Sequence, residues 1–125
     1  QPGLAAGLQG VALEFKRRFP LAAEEYMQAC KTKTLSIGSV LVSRTQEPII
    51  VHFPTKGDWR RASQLHYIDS GLVMLWKAIN DNTIPSIAIP ALGCGEGGLA
   101  WEDVRLLIVG YLQRLDVTVY LYPPR

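Results

Sequence analysis

Apolar and polar residues alternate with changing period along this chain, and the changes mark its elements. The opening, Gln1 to Gly7, is rich in Gly and Ala and holds no strand-like run, which predicts a loop leading into an amphipathic helix from Val11 to Phe19. Pro20 predicts the start of a second short helix reaching Cys30, because proline suits a first helical turn and Glu24 and Glu25 suit the positive end of the helix dipole. Alternation around Val40, Leu41 and Val42, and the run Ile49 to Phe53, predict two strands joined by a polar turn at Arg44 to Glu47, hence an antiparallel hairpin. A long helix is expected from about Ser63 to Asn80, with Ser63 as N-cap and Leu65, Ile68, Leu72, Val73, Leu75, Trp76 and Ile79 on its core face. Ser86 to Ile89 predicts a short buried strand. A glycine-rich loop then leads to a helix marked by Trp101, Val104, Leu107, Ile108, Tyr111 and Leu115, and Val117 to Tyr122 predicts the last strand.

From Ile49 onward the order strand, helix, strand, helix, strand is that of right-handed crossovers, so those strands are expected to be parallel with helices on both faces. The fold class is therefore α/β. Nothing earlier in the chain offers a strand for the exposed side of the sheet, which suggests that an N-terminal portion is missing.

A length of 125 residues with 48% hydrophobic and 19% charged residues fits one domain spanning 1–125. The net charge of +2 is compatible with an anionic ligand but falls short of the footprint of a general nucleic-acid binder. Cys30 and Cys94 stand far apart with no Cys or His at ligand spacing, which argues against a zinc site or a disulfide framework and for a reducing, cytoplasmic setting. No apolar run approaches the roughly 20 residues of a membrane span, so no membrane partner is expected.

The clearest chemical signal is Gly93-Cys94-Gly95-Glu96-Gly97-Gly98, placed between a predicted strand and a predicted helix. Glycines permit positive φ and close approach, so backbone N–H groups there and at the following helix N-terminus can converge on a diphosphate. The alternative is a tight turn in which glycine only relieves strain, and Glu96, Glu102 and Asp103 would repel an anion unless they point away. The spacing also fits a dinucleotide fingerprint, but not in the first strand–helix unit and without the acid after the next strand; a Walker loop lacks its Lys-Ser or Lys-Thr.

A second signal, Phe53-Pro54-Thr55-Lys56-Gly57-Asp58-Trp59-Arg60-Arg61, leaves another strand end and is expected to share an edge with the glycine loop. Neighbouring cations and partial desolvation favour the free amine of Lys56, a nucleophile able to attack a sugar anomeric carbon. The alternative is a solvated loop lysine. Trp59 reads as a hydrophobic cover rather than a gate, and His52 as a core histidine rather than a ligand, with no role assigned. Tyr120 and Tyr122, at the end of the last strand, are candidates for stacking on adenine or for simple packing.

Together, Phe53-Pro54-Thr55-Lys56 with Trp59-Arg60, and Ile89-Pro90-Ala91-Leu92-Gly93-Cys94-Gly95 with Gly97-Gly98-Leu99 and Trp101, resemble the macrodomain of DarG-type antitoxins. The likeness runs from about Gly10 to Tyr120 and includes Tyr67-Ile68 with Gly71-Leu72. It implies a three-layer α/β/α macrodomain with a mixed sheet, lacking the family's N-terminal strands and the adenine-binding and ribose-contacting residues they carry. The implied activity is removal of ADP-ribose from thymidine bases in single-stranded DNA, with a DNA ADP-ribosyltransferase toxin as partner and no cofactor or metal. By the same resemblance Lys56 is the catalytic lysine. Thr55, Gly93, Cys94, Gly95, Glu96, Gly97, Gly98 and Leu99 bind ADP-ribose, and Trp59 and Arg60 lie at the substrate edge. A related group, which releases ADP-ribose from protein carboxylates, carries an Asp where this chain has Gly97. The other readings are a non-catalytic ADP-ribose-binding or toxin-masking module, and a hydrolase acting on protein carboxylates.

Overall fold

The computed structural model describes residues 9–45, 47–57 and 60–125. The expected opening loop over 1–7 and Trp59 lie outside them. Helix α1 spans Gln9–Arg18 and α2 spans Pro20–Lys31, with the proline in the first turn of α2 as expected. Strands β1 (Leu41–Ser43) and β2 (Ile50–His52) form the predicted antiparallel hairpin, Leu41 opposite His52 and Ser43 opposite Ile50. Helix α3 (Leu65–Asn82) ends where Thr83 turns left-handed at φ 51°, its N–H bonded to the carbonyls of Asn80 and Ile79. Strand β3 (Ser86–Ile89), helix α4 (Trp101–Leu112) and strand β4 (Thr118–Leu121) complete the order, with β3 and β4 parallel from Ser86 opposite Thr118 to Ile89 opposite Leu121.

The period of two along β2 divides the protein into layers. Ile50 packs with Phe15, Phe19, Ala22 and Ala23 of the first two helices and the link between them, and the His52 ring meets Phe15 edge-on and stacks on Tyr26. Val51 and Phe53, on the opposite face, join Ile68, Leu72, Leu75, Ile87, Ile89, Val104 and Ile108 in the main core. Strand β2 thus lies between α1–α2 on one side and the core shared with α3–α4 on the other.

Three expectations are corrected. First, the strands from Ile49 onward were expected to be parallel; β3 and β4 do pair in parallel, but β2 pairs antiparallel with β1, and the described strands form two two-stranded sheets. Side chains of β2 and β3 share one core while their backbones do not pair, because a crossover helix fixes the direction of the next strand and not its adjacency. Second, α3 begins after Gln64, whose backbone is extended (φ −121°, ψ 145°), so Ser63 does not cap it. Third, Leu65, Val73 and Trp76 are exposed by 37–45%. The buried stripe of α3 is Ile68, Leu72, Leu75 and Ile79, flanked by Gly71 and Ala78, and these two small residues let the helix approach the strands at the expense of its larger flanking side chains.

Candidate functional site

The glycine loop leaves the C-terminal end of β3 and folds back on itself. Leu92 N–H donates to the Pro90 carbonyl at 2.8 Å, Cys94 N–H to Ala91 at 3.1 Å, Gly98 N–H to Gly95 at 3.1 Å, and Leu99 N–H to Gly93 at 2.9 Å. Gly93 (φ 73°) and Gly98 (φ 78°) adopt the left-handed conformation that only glycine takes at little cost, and a Cβ on Gly93 would lie 2.7 Å from the Leu99 side chain. This folding leaves the N–H groups of Gly95, Glu96 and Gly97 without a hydrogen-bond partner among the described residues. Successive free amides of this kind form a concave anion site. The N-terminus of α4 follows directly, with no side chain capping it, and adds its positive dipole end.

The acids that count against an anion are exposed. Glu96 and Asp103 face solvent, and Glu102 is held by Arg105 at 2.6 and 3.1 Å, a hydrogen bond that keeps its carboxyl below the usual range. Cys94 is half-buried, its thiol near the Leu92 carbonyl at 3.6 Å, and desolvation raises its pKa, so the thiolate that would act as a nucleophile is disfavoured.

The second segment leaves β2 at the same kind of strand end. Phe53 is fully buried, Thr55 is buried, and Lys56 is half-buried just before the exposed Gly57. Arg60 and Arg61 are exposed and add positive charge. The chain then returns to the glycine loop at Ser63, whose backbone N–H donates to the Gly97 carbonyl at 3.0 Å. A Cβ on Gly97 would fall 2.4 Å from the Gly93 carbonyl oxygen and 2.4 Å from Ser63 Oγ, so position 97 has no room for a side chain.

Tyr120 and Tyr122 emerge beside β3, with Tyr120 opposite Ala88 and Tyr122 N–H donating to the Ile89 carbonyl at 3.0 Å. They are 56% and 46% exposed, on the strand edge from which the glycine loop departs. A cleft of about 240 Å³ lies elsewhere, between α4 and β4, lined by Ile108, Leu112, Val117, Val119 and Leu121, and offers no reactive group. The described residues hold no cluster of His, Cys, Asp or Glu suited to a metal, and none of their helices is long and apolar enough to cross a membrane.

Ser63 is the site residue that sequence reasoning assigns elsewhere. One signal against a cap is available in the sequence: position 66, where a capping box needs Glu or Gln, is His66.

Residues 4–108 match the family model of the Macro domain. The chain is 45% identical over 121 residues to the DNA ADP-ribosyl glycohydrolase of Mycobacterium tuberculosis, a match covering 93% of this chain and 34% of that protein. A protein of the same description from Thermus aquaticus is 40% identical over 121 residues, with coverage of 93% and 34%. Among solved structures, the macrodomain of Mycobacterium tuberculosis DarG superposes with a TM-score of 0.89 at 41% identity, over 99% of this chain and 90% of that one. Thermosipho africanus DarTG in complex with ADP-ribose gives 0.86 at 32% identity, over 97% and 36%. The chain spans about a third of the length of the curated relatives it matches.

Proposed function

Because the chain belongs to the Macro domain family, which its residues 4–108 match, we propose that it is an ADP-ribosyl glycohydrolase removing ADP-ribose from thymidine bases in single-stranded DNA. Its partner on this reading is a DNA ADP-ribosyltransferase toxin, whose modification it reverses. The relatives described as DNA ADP-ribosyl glycohydrolases support the reaction. The Thermosipho africanus protein described as a fusion of transferase and glycohydrolase supports the partner.

The observation that carries the proposal is the bond from Ser63 to Gly97, which ties the segment bearing Lys56 to the turn with free amides. The diphosphate of ADP-ribose is held by the amides of Gly95, Glu96 and Gly97 and by the α4 N-terminus, with Thr55, Gly93, Cys94, Gly98 and Leu99 shaping the cradle. Tyr120 and Tyr122 offer stacking faces for adenine, and Arg60 borders the DNA strand. The Lys56 amine adds to the ribose anomeric carbon as the bond to the thymine nitrogen breaks, and that nitrogen leaves with a proton. Water then displaces the lysine, giving free ADP-ribose and restoring the amine.

Lys56→Ala is expected to slow release from ADP-ribosylated single-stranded DNA by at least about a hundredfold while leaving ADP-ribose binding within a few-fold. Equal release by both proteins would remove Lys56 from the mechanism, and binding without release by either would leave a recognition module. Protein carboxylates are the weaker substrate class, because the position that bears Asp in the carboxylate-directed group is Gly97 here, with no space for an acid.

A further inference from the structure

Ser63 is 5% exposed, and its Oγ is covered yet has no hydrogen-bond partner among the described residues. A buried hydroxyl with an unmade bond is a standing cost to a fold, and where one persists beside a binding site the missing acceptor is a candidate ligand atom. The surroundings of this hydroxyl point the same way. Its own backbone N–H holds the Gly97 carbonyl at 3.0 Å, and its Cβ would lie 3.4 Å from a Cβ on Gly93. It therefore abuts Gly93 and Gly97 of the turn that carries the amides of Gly95, Glu96 and Gly97.

Resting on the reading above, we propose that Ser63 contacts ADP-ribose itself: its hydroxyl donates to a phosphate oxygen of the diphosphate, adding a side-chain donor to the backbone amides of Gly95, Glu96 and Gly97. Oγ lies against Gly97, 2.4 Å from where a Cβ on that residue would stand, so the contact requires Gly97 to shift aside. A hydroxyl donating to a charged phosphate oxygen makes a stronger bond than one between neutral groups, so its loss should be measurable.

The test is calorimetry with ADP-ribose and with ADP on the wild-type chain and on Ser63→Ala, alongside thermal melts without ligand. Ser63→Ala is expected to weaken both ligands by about tenfold and by the same factor, while melting no lower than wild type, because it deletes a hydroxyl with no hydrogen-bond partner among the described residues. A dissociation constant within twofold of wild type overturns the inference. So does a weakening seen with ADP-ribose and not with ADP, which would move the contact to the distal ribose, or a lower ligand-free melting temperature, which would make Ser63 a structural residue. A wild-type chain that binds neither ligand defeats the functional reading as well, whereas wild-type binding matched by Ser63→Ala defeats this inference alone.

Discussion

His52 is fully buried beneath α1 and α2, its Nε2 hydrogen bonded to Ser43 Oγ at 2.8 Å and its Nδ1 without a partner among the described residues. Burial lowers its pKa to about 4, although the nearby Glu25 carboxylate opposes the shift. The ring is neutral in the fold while the unfolded chain takes up a proton near 6.5, so between those values the unfolded state binds more protons and stability rises with pH. This contribution is complete above pH 6.5 and lost as the pH falls towards 4, a change on the order of 2–3 kcal/mol. Denaturant midpoints at pH 7.5 and 4.5 should therefore diverge in the native chain, and His52→Gln should narrow the gap; an unchanged gap would place the acid sensitivity in another group. The sequence supports the reading of His52 as a core histidine, since it interrupts an apolar run. It does not reveal the Ser43 partner, which depends on hairpin register.

Packing between elements turns on Gly71, where α3 crosses β2. A Cβ at this position would lie 2.3 to 2.8 Å from the Phe53 ring, which is itself fully buried. Gly71→Ala is thus expected to destabilise the chain by about 1–3 kcal/mol, the cost of overpacking, despite alanine's better helix propensity. A variant melting at or above the native temperature would show that the ring can yield. A second tie, the hydrogen bond from Tyr111 to Asp69, joins α4 to α3 and raises the tyrosine pKa. Helix periods are plain in the sequence because they are local. The width of the buried stripe is not, since Val73 and Trp76 satisfy the same apolar spacing while facing solvent, and only the glycine contact explains how α3 is rotated.

For the whole molecule, ligand and fold are linked. If ADP-ribose binds the folded chain alone, a free concentration a hundred times the dissociation constant adds about 2.7 kcal/mol of stability. For a domain of this size the melting midpoint should rise by about 10 °C. A midpoint that stays put at saturating ADP-ribose would contradict binding to the native state. The two segments of the site are legible in the sequence for different reasons. The turn from Gly93 to Gly98 announces itself by composition, whereas Lys56 gains meaning only from its neighbours and from resemblance. Their meeting point is hidden, because a serine ahead of a helix looks like a cap and its tertiary partner lies far along the chain. The strand order is likewise hidden, since crossovers fix direction and leave neighbours open.

The crowding around Gly97 limits how this site can be re-engineered. Grafting an aspartate there to borrow the carboxylate-directed group's chemistry would drive its first carbon into the Gly93 carbonyl oxygen and Ser63 Oγ. Trimming Ser63 relieves only one of those collisions, so the backbone at Gly93 must rotate too. Steric volume, more than charge, excludes an acid from this position.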